Sequence, residues 1–475
     1  MKTKILLLFT LFNLIFPKSY AQTEVSSFFR SEAFRYADVS YTVMDVADEK
    51  VICESNPDRR MIPASVLKLL TTASVLETYG PDYRFVTPLL YDGKFENGTI
   101  YGNLIIKGSG DPTWGSRYFK SKPSIRYFLL SMLNEKGITN ITGDIILDNT
   151  VYGTEVSSPK WIWEDMGNYY GSGIWGLNYM DNMYELSFKS GMVGLQPVVT
   201  GVNPEIPGME LRVELRSANN QKDSAYIYGA PFEKTRTVYG SIPANRSDFT
   251  IKGDMYDPNV VLTSHFSKDL RFAGIKVGGD IVTEYKDKKS GTCQIGNFSS
   301  PALREIIRIV NYNSNNLFAD ALLRLIAQKR KAGYATFDQG VAEELAVWSG
   351  KGLPKGGMRI FDGSGLSPLN RVTTDYMARM LSLSMKNDQI SDAFYSSIPV
   401  AGKEGTVKSL FRDGSMGNRL RLKSGSMGGV LSYAGYLDKN GKRYAMVIIV
   451  NNFDVPHSEV RMQIEKWIKA LDARL

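Results

Sequence analysis

The sequence predicts a mixed α/β (α+β) protein whose helix-and-sheet body is interrupted by a long β-rich insert. Three observations carry this expectation. Two strand-like runs lead directly into one strongly apolar helix at 63–80. From 84 to about 289 the pattern changes to many short β runs divided by turn residues. Helical periodicity then resumes at 301, and the chain closes with three strands and a helix.

The length of 475 residues, with 43% hydrophobic and 22% charged, fits a globular chain of two to four domains and excludes a disordered or fibrous one. Residues 1–21 join Lys2 and Lys4 to an apolar run at 5–16 and end in Ser19-Tyr20-Ala21. This pattern predicts a signal peptide cleaved after Ala21 and an exported, periplasmic product. The run is too short for a comfortable bilayer span, so no transmembrane segment is expected. Loss of Lys2, Lys4 and Lys18 lowers the formal charge from +8 to +5, a mild basicity compatible with anionic envelope polymers. No interleaving of basic and aromatic residues points to nucleic acid.

In chain order, 40–45 and 50–55 alternate as strands around the turn Ala47-Asp48-Glu49. The helix at 63–80 begins with Pro63, suited to a first turn, and stops at Gly80-Pro81. Its apolar residues fall on more than one face, as in a helix buried centrally. Ser65 and Lys68 are three apart and share one face, which brings an amine to a hydroxyl. Desolvation and the helix N-terminus both favour the neutral amine, so Lys68 is a candidate base and Ser65 a candidate nucleophile. SxxK alone is weak, since about one or two copies occur by chance in such a chain, and Ser157–Lys160 is a decoy.

The insert, 84–294, reads as one or two β-rich lobes, two being preferred, with helical pieces near 125–136 and 264–273. Helices follow at 301–310 and 317–332, divided by a polar loop at 311–316 that exposes Ser314 and Asn316. Strands are expected at 419–423, 430–437 and 444–450; the unbroken apolar run of the last favours a central place. The closing helix carries Val460, Ile464, Trp467, Ile468 and Leu471 on one stripe, which suits cover for that sheet better than a membrane surface.

Two histidines, His265 and His457, leave little room for a Ser-His-Asp triad or a multi-histidine zinc site, and both read as structural. No metal or cofactor is expected. Cys53 and Cys293 make no disulfide framework and are left unpaired. Lys423-Ser424-Gly425 ends a strand, where small residues let a substrate backbone lie along the edge and Lys423 can hold a carboxylate. Lys289-Ser290-Gly291 and Ser217-Ala218-Asn219 are weaker copies in polar surroundings.

SxxK, SxN and K[ST]G in this order form the signature set of penicillin-binding proteins and serine β-lactamases. The stretches PASVLKLLTTAS, KGSGDPTW, NYNSNNLFADALLR, FDGSGLSPLNRVTT and LKSGSMGGVLSYAGYL narrow this. They resemble the D-alanyl-D-alanine carboxypeptidase/endopeptidase family of class C low-molecular-mass penicillin-binding proteins, peptidase family S13. The resemblance runs from about Tyr41 to Val450. It implies a serine β-lactamase/transpeptidase-like domain, an antiparallel sheet flanked by helices, formed by 22–83 and 295–475 around the insert. It also implies cleavage of peptidoglycan stem peptides and covalent inhibition by β-lactam antibiotics.

By the same resemblance Ser65 attacks, Lys68 takes its proton, and Ser314 with Lys423 relays a proton to the leaving amine. Asn316 positions the substrate amide, the N–H groups of Ser65 and Ser426 form an oxyanion hole, and Ser424 and Gly425 bind beside Lys423. Asp165 is implied to read the free ammonium of a diaminopimelate side chain, with Tyr170 and Met427 lining its slot. Relatives often carry Arg where Pro368 stands, which leaves Arg371 as the nearby candidate to replace it. A β-lactamase-like hydrolase and a non-catalytic wall-binding protein are the alternative readings.

Overall fold

A computed structural model describes residues 26–29, 31–120, 125–286, 291–330 and 333–475; the expected signal peptide lies outside them. The body is a five-stranded antiparallel sheet in the order Val51–Ser55, Asp38–Asp45, Lys442–Asn451, Val430–Lys439, Leu420–Met427. The middle strand is Lys442–Asn451, and its apolar run has a direct cause. Ala445, Val447 and Ile449 face a core built with the helices, while Tyr444, Met446, Ile448 and Val450 face a second core on the opposite side. A strand buried on both faces has no polar alternation to show. The closing helix His457–Arg474 lays Val460, Ile464, Trp467, Ile468 and Leu471 into the second core, as its stripe predicts.

The apolar stretch at 63–80 forms a 3-10 turn, Ala64–Leu67, followed by the α-helix Lys68–Tyr79, which ends at Gly80 with φ 77°. Burial on every side explains its composition. The expected loop at 311–316 is far shorter. Helix Leu303–Asn313 runs through most of it, Ser314 alone turns left-handed (φ 56°), and Asn315 caps helix Asn316–Ala327 by accepting from the Phe318 N–H at 2.9 Å. Polar Asn311 stays within the helix because its side-chain N–H groups find buried partners, donating to Thr72 Oγ1 at 3.2 Å and Ser397 Oγ at 2.8 Å, although its Oδ1 has none.

Between Val86 and Ser299 the chain builds its own sheets around a separate hydrophobic core. One is a five-stranded sheet in the order Ile281–Glu284, Ile145–Asp148, Leu104–Lys107, Val86–Asp92, Thr292–Ser299. Its last strand in the chain, Thr292–Ser299, pairs with its first, Val86–Asp92, and so runs past 294. Tyr152, Trp161 and Ile174 leave this region and enter the core of the helical side. Among the described residues no helix is long and apolar enough to cross a membrane. Cys53 is buried, Cys293 exposed, and both are free.

Candidate active site

The 3-10 turn brings Ser65 to the end of the Lys68–Tyr79 helix, and the residue before it, Ala64, is held at φ 46°. A left-handed conformation is costly for a residue with a Cβ and marks a position that its surroundings impose. Gly365 closes on this turn: a Cβ there would meet the Ala64 carbonyl oxygen at 2.0 Å. From the other side comes the edge strand Leu420–Met427, where a Cβ on Gly425 would lie 2.8 Å from the Ser65 nitrogen. Only glycine lets two backbones approach so closely.

Lys68 is fully buried and points its Nζ at three acceptors: Ser65 Oγ at 2.9 Å, Asn316 Oδ1 at 2.6 Å and the Ser364 carbonyl at 2.6 Å. Asn316 in turn donates to the Tyr170 carbonyl at 2.8 Å, which ties the insert to the site. Lys423, also fully buried, donates to Ser314 Oγ at 2.9 Å and to the Ser424 carbonyl at 2.6 Å. Burial lowers the Lys68 ammonium to about 8 against the pull of Asp320 and Asp362. Lys423 is held well below the usual lysine range by burial and by the charge of Lys68. Two desolvated amines, each hydrogen-bonded to a serine, can move protons to and from those hydroxyls near neutral pH.

A cleft of about 760 Å³ opens beside Ser314 and Asn316 toward the insert, between Tyr118, Tyr170, Tyr226 and Lys252. Ser65 and Lys423 lie outside its wall. Among the described residues no group of three or more His, Cys, Asp or Glu is placed to hold a metal ion.

The model of the D-Ala-D-Ala carboxypeptidase 3 (S13) family matches residues 21–472. The chain belongs to that family. The S13 enzyme is therefore a serine-type D-Ala-D-Ala carboxypeptidase of the penicillin-binding protein class. It is 24% identical over 425 residues to the D-alanyl-D-alanine carboxypeptidase DacB of Haemophilus influenzae, covering 88% of this chain and 86% of that one. It is 25% identical over 457 residues to the D-alanyl-D-alanine carboxypeptidase of Actinomadura sp. R39, with 91% and 81% covered. In fold it is similar to penicillin binding protein 4 of H. influenzae, with TM-score 0.80, 22% identity, and 94% and 98% of the two chains covered. This likeness fits the α+β transpeptidase-like architecture of the S13 enzyme.

Ser65, Lys68, Ser314, Asn316 and Lys423 thus come together from three separate parts of the chain. Ser424, Gly425 and Ser426 continue along the same strand, and Ser424 Oγ lies 2.7 Å from Thr406 Oγ1. Met427 ends the strand, its carbonyl accepting from His457 Nε2 at 3.1 Å. His265 is bonded to the Tyr179 hydroxyl at 3.0 Å, so each histidine has a structural partner. Of the decoys, Ser217 lies within the strand Glu210–Ala218 rather than in a loop, and Lys289-Ser290 falls outside the described residues.

Asp165 and Tyr170 lie near one another, and the tyrosine hydroxyl favours the ionised carboxylate. Around them Ile162, Trp163 and Tyr169 are exposed, while Trp161 is buried and donates from Nε1 to Asp362 Oδ2 at 3.0 Å. Arg371 stands in the short strand Arg371–Val372. Its Nη1 donates to the carbonyls of Pro368 at 2.7 Å and Asn370 at 2.8 Å, so its guanidinium braces its own loop. The groups acting on Asp165 are Glu164, Tyr170 and Asp362, with no arginine among them. Sequence reasoning missed Ser364, whose carbonyl holds Lys68, and Asp320 and Asp362, which brace the turn around it. A lone acid in a helix otherwise rich in apolar residues, as Asp320 is, was the available signal.

Proposed function

We propose that the chain is an exported serine DD-peptidase acting on peptidoglycan through an acyl-enzyme on Ser65. Its substrates are D-Ala-D-Ala termini, in carboxypeptidase action, and D-Ala-diaminopimelate cross-links, in endopeptidase action. β-Lactams acylate the same serine. The observation that carries the reading is the pair of serine–lysine hydrogen bonds, Ser65 with Lys68 and Ser314 with Lys423, with Asn316 also accepting from Lys68. When Lys68 is neutral, its other two partners are acceptors that cannot donate to it, so its lone pair turns to the Ser65 hydroxyl proton. Ser65 then attacks the carbonyl, Lys68 holds the proton, and Ser314 with Lys423 delivers one to the leaving amine. The N–H groups of Ser65 and Ser426 stabilise the oxyanion, Ser424 and Gly425 bind the peptide along the strand edge, and Asn316 holds its amide. Asp165, with Tyr170 and Met427, reads the side-chain ammonium.

Relatives support both halves of the reading. Penicillin binding protein 4 of H. influenzae is known in complex with a β-lactam, and a predatory endopeptidase of Bdellovibrio bacteriovorus shares the fold at TM-score 0.51. The leader at 1–21 supports export. Intact-mass measurement after benzylpenicillin is expected to show one adduct, absent from Ser65→Ala. An adduct that persists in the variant overturns the nucleophile. An adduct that clears within seconds with turnover favours a β-lactamase, and no adduct on the folded protein favours a non-catalytic binder.

A further inference from the structure

Behind Lys68 lies a layer of buried acids for which the acylation scheme above has no use. Asp320 sits one helical turn after Asn316, so both project from the same face of helix Asn316–Ala327. It is fully buried, and its Oδ1 accepts from the N–H groups of Gly363 at 2.7 Å and Ser364 at 3.0 Å. Those two residues form the turn whose Ser364 carbonyl holds the Lys68 ammonium. One carboxylate oxygen therefore fixes the acceptor that fixes the lysine.

The charged groups facing Asp320 come from every neighbouring element. Lys68 stands across the turn, and Lys423 faces Lys68 from the edge strand. Arg324 lies one turn further along the same helix, engaged with backbone carbonyls. Asp362, on the turn itself, is saturated by Trp161 Nε1, the N–H groups of Gly365 and Ser367, and Asn370 Nδ2. Glu344 approaches from helix Phe337–Gly350. It lies beside the Thr71 and Ser74 hydroxyls, whose protons already go to the carbonyls of Gly363 and Leu70, and burial raises it to about 8. With no donor to stabilise its anion, Glu344 stays neutral at pH 7. Burial and the Asp362 carboxylate push Asp320 upward as well, and its Oδ2 meets no donor, but unlike Glu344 it has two backbone N–H groups and a lysine opposite that favour its anion, so it is the acid placed to answer a change of charge on Lys68.

Resting on the assignment of Lys68 as base, we propose that Asp320 is a positioning residue that supplies the counter-charge to the ammonium formed when Ser65 is deprotonated. In that step the Ser65 O–H bond breaks, its electron pair forms the bond to the acyl carbon, the carbonyl π pair moves onto its oxygen, and the proton passes to the lone pair of Nζ. A buried ammonium is costly unless a carboxylate faces it. The carboxylate also raises the basicity of the amine, so it strengthens the base while leaving less of it neutral at a given pH.

Asp320→Asn separates these effects, because the amide oxygen still accepts from Gly363 and Ser364 while the charge is lost. Acylation by a fluorescent penicillin, followed under single-turnover conditions from pH 5 to 10, has an acid limb set by Lys68. In Asp320→Asn the limb is expected to move down by about one pH unit and the high-pH plateau to fall about tenfold or more. Asp320→Glu keeps the charge and is expected to keep the wild-type limb even where a displaced turn lowers the plateau; it also serves if the amide variant does not fold. A uniform loss at every pH with the limb unmoved, or the same shift in both variants, overturns the proposal. A wild-type enzyme that acylates at Ser65 with no acid limb at all would instead remove Lys68 as the base.

Discussion

Lys68 and Asp165 show how far a single side chain's surroundings set its task. Burial lowers Lys68 to about 8 and raises Asp165 to about 6, the latter helped by the carboxylates of Glu164 and Asp362 and opposed by the Tyr170 hydroxyl. At pH 7 Asp165 is thus ionised but close to protonation, and a substrate ammonium beside it would favour the ionised form. Asp165→Ala is expected to cut kcat/KM for peptides with a free diaminopimelate side chain by about tenfold to a hundredfold. Benzylpenicillin, which lacks that side chain, should acylate nearly as before. In the wild type the preference for the charged peptide over its acetylated form should fade as pH drops through about 6, where the carboxylate takes up a proton. Steady-state kinetics with the two peptides checks both points; equal losses for peptide and penicillin would make Asp165 structural. The Ser65–Lys68 spacing is legible in the sequence because a helix turns three-residue spacing into contact. Asp320 and Ser364 are not, since their part depends on a turn 296 residues away folding back onto the lysine.

At the scale of elements, the site depends on the nucleophile's 3-10 turn lying against the edge strand Leu420–Met427. Gly425 sets that distance. A Cβ there would lie 2.4 Å from Ser432 Oγ, 2.7 Å from the Pro63 carbonyl oxygen and 2.8 Å from the Ser65 nitrogen. Ser432 itself donates to the Pro63 carbonyl at 2.6 Å, so the methyl of Gly425→Ala would push into the hydrogen bond that anchors the turn. The expected outcome is a loss of about a hundredfold in penicillin acylation with a cooperative melt retained, because a displacement near 1 Å at a nucleophile costs about that much. Stopped-flow acylation and calorimetry on one preparation test it. Near wild-type acylation would mean that the strand and turn move together. The strands were legible because burial leaves a period-two or unbroken apolar pattern. The helix that runs into the polar stretch 311–316 is not legible, because the hydroxyls that accept from Asn311 lie 239 and 86 residues away, beyond any local pattern.

The described residues form three hydrophobic cores, two on the faces of the catalytic sheet and one within the insert, so something must hold the insert in place. Arg324 does much of this. It leaves the helix that begins with Asn316 and is fully buried. Its Nε donates to the Ala335 carbonyl at 2.8 Å, Nη2 to that of Tyr152 at 3.4 Å, and Nη1 to those of Glu155 and Ile174. The guanidinium also lies 4.0 Å over the Tyr152 ring and 3.6 Å from the Glu155 carboxylate. No sequence pattern announces this clamp, because its acceptors are backbone carbonyls of a distant loop. Arg324→Met keeps the bulk and removes the donors, leaving several buried carbonyls unpaired, and is expected to destabilise the fold by about 3–5 kcal/mol. The same loop continues to Tyr170, whose carbonyl orients Asn316. Loosening it should therefore slow acylation per folded molecule as well as lower the unfolding midpoint, and should admit limited proteolysis near 150–175 before the catalytic sheet opens. Urea unfolding by tryptophan fluorescence, proteolysis and single-turnover acylation together test this. A lower midpoint with acylation unchanged would show that the insert is held on for stability alone and that Asn316 keeps its orientation without it.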